Sequence, residues 1–389
     1  MSVRRVAPTI AVVAVFYAIF VPLRLVQHDT LWFVHPGKVF VTTGHTSPFL
    51  SHLRYDAKVG YDGELYFGLA ADPRHAKDYI GPQAGVVYSR VGYPAVSYAV
   101  AGGQRSVLPG AMLAVNLVAL LAATIAIALW LVRRGLPPWP AAFYGLYPGI
   151  IFTVFFDLTE PLAFAFATVG VLVLDTARPR RVALSALLLA CAVLTRETTV
   201  PFALAAAATL WSARAGARRW PSALAYLAAT IVPLLVWRVF VGRFTHRPTQ
   251  ETTHTPYWYV PFRGFLDWRP LDGEHRLILL AIVLPAVVAG CAALVQLAGR
   301  RDPIAAGLLL LNVLLYVVYL PKGVYIDYPA ASRAVIGVLV SALYCLPAWW
   351  RRGIALRTAL AGEALAWSLA WFVFVAWKYG LPTIDALTA

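Results

Sequence analysis

Apolar runs follow one another along the whole chain, at about 6–26, 91–103, 107–132, 139–156, 161–175, 182–211, 221–241, 277–298, 303–320, 334–350 and 358–377. A helix needs about 20 such residues to cross a bilayer, and in hydrocarbon every backbone polar group must find its partner inside its own element. Those two facts leave one fold class: an all-α, polytopic membrane protein, here with about ten or eleven membrane segments. Composition excludes the alternatives. Apolar residues make up 60% of the chain and charged ones 13%, about half the charge of an ordinary soluble domain. The same apolar content excludes disorder. Cys191, Cys291 and Cys345 lie inside apolar runs, with no metal-ligand spacing, and read as small core residues. No internal repeat is present.

The first run, preceded by Arg4 and Arg5, lacks a small-residue cleavage site and reads as an uncleaved anchor. Arginines then fix a direction. Arg133/Arg134, Arg178/Arg180/Arg181, Arg214/Arg218/Arg219, Arg300/Arg301 and Arg351/Arg352/Arg357 flank spans in short loops, which the positive-inside rule assigns to the cytoplasm. All five clusters reach one side if 91–103 stops short of crossing and 182–211 breaks near Thr195-Arg196-Glu197-Thr198. The rival arrangement, with 91–103 crossing and 182–211 unbroken, leaves two clusters outside. The formal charge of +15 is then a collar facing anionic headgroups. No basic patch carries interleaved aromatics outside the membrane runs, so nucleic acid is not an expected partner.

The other face receives the remaining polar chemistry. Segment 28–90 holds five of the eight histidines and the sequence Gly60-Tyr61-Asp62-Gly63-Glu64-Leu65-Tyr66, with Tyr61, Leu65 and Leu69 at helical spacing. A carboxylate framed by glycines and aromatics suits work on a sugar: ring faces pack on it, and the carboxylate accepts a hydroxyl proton. Asp62 equally suits a capped interfacial helix, so the residue type alone does not decide. Asp62-Gly-Glu64 also has the form of a DxD-like pair able to hold a divalent cation, Mg or Mn. Outer-side cations at span edges are Arg90, Arg196, Arg333 and Lys322, each a candidate for lipid phosphate or for snorkelling and ion pairing. Asp157 and Glu160 stand at a span end, where an ionisable group is a functional candidate, although Glu160 before Pro161 also suits a helix N-terminus. An aromatic loop, 242–275, carries Trp258. No HExxH, GxSxG or Walker motif occurs.

The order of these motifs carries a resemblance. A first span, then YDGxxY with LAxDP, then Tyr88-Ser-Arg90-Val-Gly-Tyr93-Pro94, then Tyr147-Pro148-Gly149 through Asp157-Leu-Thr-Glu160-Pro161, then Leu194-Thr-Arg196-Glu197-Thr198 resembles the GT-C glycosyltransferases. Among these it is most similar to bacterial members akin to the PIG-V mannosyltransferases and, more distantly, to ArnT-like aminoarabinose transferases. The likeness covers about residues 1–210, and 211–389 matches only in general layout, so one integral membrane glycosyltransferase domain is expected over 1–389. The resemblance implies a polyprenyl-phosphate sugar donor, a lipid or glycan acceptor and a multi-pass protein of the cell membrane with its site on the extracytoplasmic face. It makes Asp62 the catalytic base, with Glu64 beside it. Many relatives have Gln at that second position, which leaves open whether Glu64 serves a metal, an acid role or a hydrogen bond to sugar. Arg90, Arg333, Arg196 and Lys322 become candidates for the donor phosphate, and Tyr61, Tyr66, Asp157, Glu160 and Trp258 for substrate contact. A transporter or lipid flippase is the rival class, and a non-catalytic envelope assembly protein a third. Against the transporter stand the absence of repeat symmetry and the gathering of polar groups at one face.

Overall fold

The computed structural model describes residues 2–26, 28–43, 60–213, 216, 219–249 and 260–350. The described residues are helical throughout, 81% of them, with no β-strand among them. The helices are α1 (Ser2–Leu25), α2 (Asp62–Ala71), α3 (Ala84–Ser89), α4 (Gly92–Val100), α5 (Leu108–Arg133), α6 (Pro148–Phe155), α7 (Glu160–Val173), α8 (Pro179–Thr195), α9 (Val200–Ala213), α10 (Arg219–Thr245), α11 (Gly273–Ala298), α12 (Pro303–Val318), α13 (Tyr328–Ala334) and α14 (Ile336–Trp350). Prolines open several of them, at Pro109, Pro161, Pro179 and Pro303, where the missing N–H has no helical acceptor to lose. After α5 the chain turns at Gly135 with φ +78°. The Leu136 N–H closes that end on the Leu131 carbonyl at 3.0 Å, a C-terminal cap that a left-handed glycine permits.

Among the described residues four helices are long and apolar enough to span a membrane, α1, α5, α10 and α11, or five if α13 and α14, bent by 43° between them, count as one span. That is fewer than the ten or eleven apolar runs. Run 358–377 lies outside the described residues. Run 139–156 is cut into Trp139–Ala141, Ala142–Gly145 and α6, the break before α6 falling just ahead of Pro148, which has no N–H to give the preceding turn. Runs 161–175 and 303–320 form shorter apolar helices. Run 91–103 is the nine-residue α4, too short to cross. Run 182–211 breaks at Arg196 into α8 and α9, joined by a 3-10 turn at Glu197–Thr199.

The chain divides into two compact units, one of Met1–Gly145 with Ile150–Thr255, the other of Leu146–Gly149 with Pro256–Ala389. In the first, α7 packs between α5 and α8, and α10 lies on α8 and α9. This unit has two chemically different ends. The Arg133 guanidinium, at the close of α5, donates to the Leu172 carbonyl at the close of α7 (3.2 Å), beside the turn bearing Arg178 that opens α8. At the other end of α7 and α8, which run antiparallel, Glu160 opens α7 and Arg196 follows α8, 3.2 Å apart. The arginine turns and the acidic motifs therefore occupy opposite ends of the unit. In the second unit, α11, α12 and α14 pack together, and the Glu274 carboxylate accepts the Tyr328 N–H at 2.9 Å.

Candidate functional site

The helix bearing Asp62 is held by its glycines and aromatics. A Cβ at Gly63 would collide with the backbone carbonyl of Phe156 and come within 2.9 Å of that of Val34, so only glycine brings α2 this close to the turn before Asp157. Tyr61 stacks on Phe156, with centroids 4.2 Å apart and planes at 22°. Its N–H donates to the His35 carbonyl at 3.2 Å. These contacts leave Asp62 half-buried in the first turn of α2, where the helix N-terminus favours negative charge. Glu64 accepts the Gly37 N–H at 2.6 Å. Burial pushes its carboxyl up to about 7 against that hydrogen bond, and the Asp62 charge adds to the rise.

The helical spacing of Tyr61, Leu65 and Leu69 suggests a helix with one apolar face, and the structure buries more of α2 than that. Gly63 and Tyr66 through Ala71 are all buried, so the helix is an internal element packed on α4 and α5. Tyr66 is 1% exposed. Its hydroxyl accepts from Arg90 Nη1 at 3.3 Å, and its ring is core, not a face for substrate.

Below Tyr66 lies a cluster of ion pairs assembled from four elements. Arg90, after α3, grips Glu197 with two bonds, Nη2 to Oε1 at 2.6 Å and Nε to Oε2 at 3.2 Å. Burial alone would push the Glu197 carboxyl up. The Arg90 charge and hydrogen bonds, with Arg196 beyond, outweigh it and hold the carboxyl well below its usual range. Arg196 instead reaches back to α7, pairing with Glu160 at 3.2 Å and donating to the Thr159 hydroxyl at 3.1 Å. Arg90 and Arg196, named from sequence as phosphate ligands, are thus engaged by carboxylates of the chain itself. Glu160 is 1% exposed and Asp157 fully enclosed, so neither faces an open substrate surface. Asp157 adopts φ +45°. Its Oδ1 lies 3.4 Å from Asn116 Nδ2 and 3.3 Å from the Tyr93 hydroxyl, and its Oδ2 is buried without a hydrogen-bond partner among the described residues.

In the second unit, Lys322 Nζ sits over the Trp268 ring at 4.7 Å, and that ring stacks on His275 at 4.6 Å. Arg333 is half-buried in the last turn of α13. Trp258 lies outside the described residues. No group of three His, Cys, Asp or Glu side chains that could hold a metal ion occurs among the described residues. Asp62 and Glu64 alone form a two-carboxylate pair with one Glu64 oxygen already bonded to Gly37, so no step is assigned to a metal.

The sequence reading missed Tyr93, Asn116, Thr159 and Arg238. Asn116 and Arg238 each interrupt an apolar run, and a polar side chain within a span is the signal that finds them. Together, fold and site define a helical protein with four or five helices able to cross a membrane among the described residues and an ionic cluster at one end of its first unit. No protein family, no curated protein and no solved structure matches the chain.

Proposed function

We propose that the chain is a GT-C-type membrane glycosyltransferase that moves a sugar, mannose or another hexose or pentose, from a polyprenyl-phosphate donor to a glycolipid or glycan acceptor. The observation that carries this reading is the difference between carboxylates. Asp157 and Glu160 are sealed and Glu197 is locked to Arg90, whereas Asp62 stays half-exposed on a helix end fixed by Gly63 and Tyr61. A rigidly held, accessible carboxylate is what a general base requires.

In this reading the acceptor hydroxyl gives its proton to Asp62 as its oxygen bonds to the anomeric carbon. The bond from that carbon to the phosphate oxygen breaks, its electron pair leaves with the lipid phosphate, and the configuration inverts. Glu64, whose carboxyl is pushed up to about 7, carries a proton part of the time at neutral pH and can hydrogen-bond the sugar in either state. The site faces the side opposite the arginine turns, the extracytoplasmic face of the cell membrane. The test incubates purified protein with a radiolabelled polyprenyl-phosphate hexose and a crude glycolipid acceptor. Wild type transfers label, and Asp62→Asn loses transfer by at least about 100-fold. Equal rates would sink the assignment of the base.

A further inference from the structure

The ion-pair cluster does not close on itself. Three arginines, Arg90, Arg196 and Arg238, face two glutamates, Glu160 and Glu197, which leaves one positive charge in excess. The surplus sits on Arg238. Glu197 Oε2 stands 4.0 Å from Arg238 Nη2, beyond hydrogen-bond reach, and Arg90 already occupies both Glu197 oxygens. Arg238 Nε is buried and meets no hydrogen-bond acceptor among the described residues. The side chain is nevertheless 18% exposed, so its fork can be reached from outside.

Its surroundings specify what reaches it. Arg238 is the sole charged residue between Arg219 and Arg243 on α10. Leu235 and Val232, within two turns of it towards the middle of the helix, are exposed, as side chains against acyl tails would be. It stands seven residues, about 10 Å, before the end of α10 at Thr245. That helix is about 40 Å long at 1.5 Å per residue, against a hydrocarbon core of about 30 Å. Arg238 therefore lies just inside the headgroup boundary, within reach of the phosphate level. A guanidinium binds a phosphate with two parallel bonds. One surplus positive charge matches the single negative charge of a phosphodiester.

We infer that Arg238, backed by Arg90 and flanked by exposed apolar side chains of α10, is a binding site for an anionic bilayer phospholipid, its phosphodiester on the guanidinium and its chains along Leu235 and Val232. This goes beyond the glycosyl-transfer reading and does not depend on it: the site needs only a membrane, and its test reads lipid retention with no sugar present. A free phosphate would leave the apolar flank unused. A zwitterionic lipid would bring a compensating cation to a site already positive.

The test is native mass spectrometry of the full-length protein in detergent, titrated separately with dioleoylphosphatidylglycerol, dioleoylphosphatidylcholine and farnesyl phosphate. Wild type is expected to retain phosphatidylglycerol about tenfold more strongly than phosphatidylcholine, the worth of one charge-assisted bond pair. Arg238→Gln loses that preference, and Arg243→Gln, at an exposed position of the same helix, keeps it. Arg238→Gln leaves Glu197 its bonds to Arg90. Should it still fail to fold, Arg238→Lys carries the test: it keeps the charge without the fork and is expected to retain phosphatidylglycerol several-fold less than wild type. Wild-type retention in the variant that is read, or equal retention of the two phospholipids, overturns the proposal. Preference for farnesyl phosphate over phosphatidylglycerol at this position overturns it in favour of a prenyl phosphate.

Discussion

Replacing Glu197 with Gln tests the ion-pair cluster most directly. The substitution keeps the side-chain shape and one oxygen acceptor but removes the charge that Arg90 grips at 2.6 and 3.2 Å. Stripping one partner from a fully buried pair costs about 3–5 kcal/mol. Two features lower the figure here: the Glu197 side chain is 29% exposed, and the amide oxygen still accepts one bond. About 2 kcal/mol remains. The first unit covers about 250 residues, so its Tm should fall by about 4–8 °C, read by fluorescence-detected melting in detergent at pH 7.5. The pH dependence has a definite sign. The Arg90 pair holds the folded-state carboxyl below its ordinary value of 4.5, so its stabilisation is complete above about pH 4.5 and fades as pH falls towards the folded value. Wild type and Glu197→Gln should therefore converge in Tm on acidification. A cycle with Arg90→Met sharpens the test, because removing both charges leaves no stranded partner and should cost less than the sum of the single changes. A Tm within about 1 °C of wild type at pH 7.5, or additive costs in the cycle, would refute the cluster as a source of stability.

Three further outcomes follow from the same geometry. Glu64→Gln should raise the Tm at pH 8 and leave it unchanged at pH 4: a carboxyl pushed up to about 7 is destabilising once ionised, a penalty that grows as pH rises from about 4.5 through 7, and a flat difference between wild type and variant across that window would contradict it. Gly63→Ala should lower stability by at least about 1–3 kcal/mol in the same melting assay, because its Cβ meets the carbonyls of Phe156 and Val34, backbone atoms that no rotamer change can move aside. Asp157→Asn should melt within about 2–3 °C of wild type, since its partners Asn116 and Tyr93 are neutral and asparagine tolerates positive φ, whereas Asp157→Ala leaves the Asn116 amide only its bond to the Tyr93 hydroxyl and takes a buried acceptor from both groups, at a cost of about 1–3 kcal/mol. Equal melting of the two Asp157 variants would count against that hydrogen-bond arrangement.

What the sequence made legible was local or governed by a chemical rule. The break of 182–211 at Arg196-Glu197 and the short α4 followed from run length and from charges that cannot continue an apolar span. The separation of arginine turns from acidic motifs followed from the positive-inside pattern and reappears as the two ends of the first unit. Pairings were another matter. Arg90 and Glu197 are 107 positions apart, Arg196 and Thr159 are 37 apart, and no periodicity links them; the adjacent Arg196 and Glu197 face different partners because the chain bends between α8 and α9. Tyr66 reads in the sequence as one more aromatic beside a candidate base, and only packing shows that its ring is core and its hydroxyl serves Arg90. Arg238 is hidden in the sequence because run 221–241 is long and apolar enough to cross with or without it. An arginine within such a run carries a desolvation cost that the run's own apolar residues cannot offset. That cost, set against a guanidinium with no full partner, is the physical ground for seeking its ligand in the bilayer.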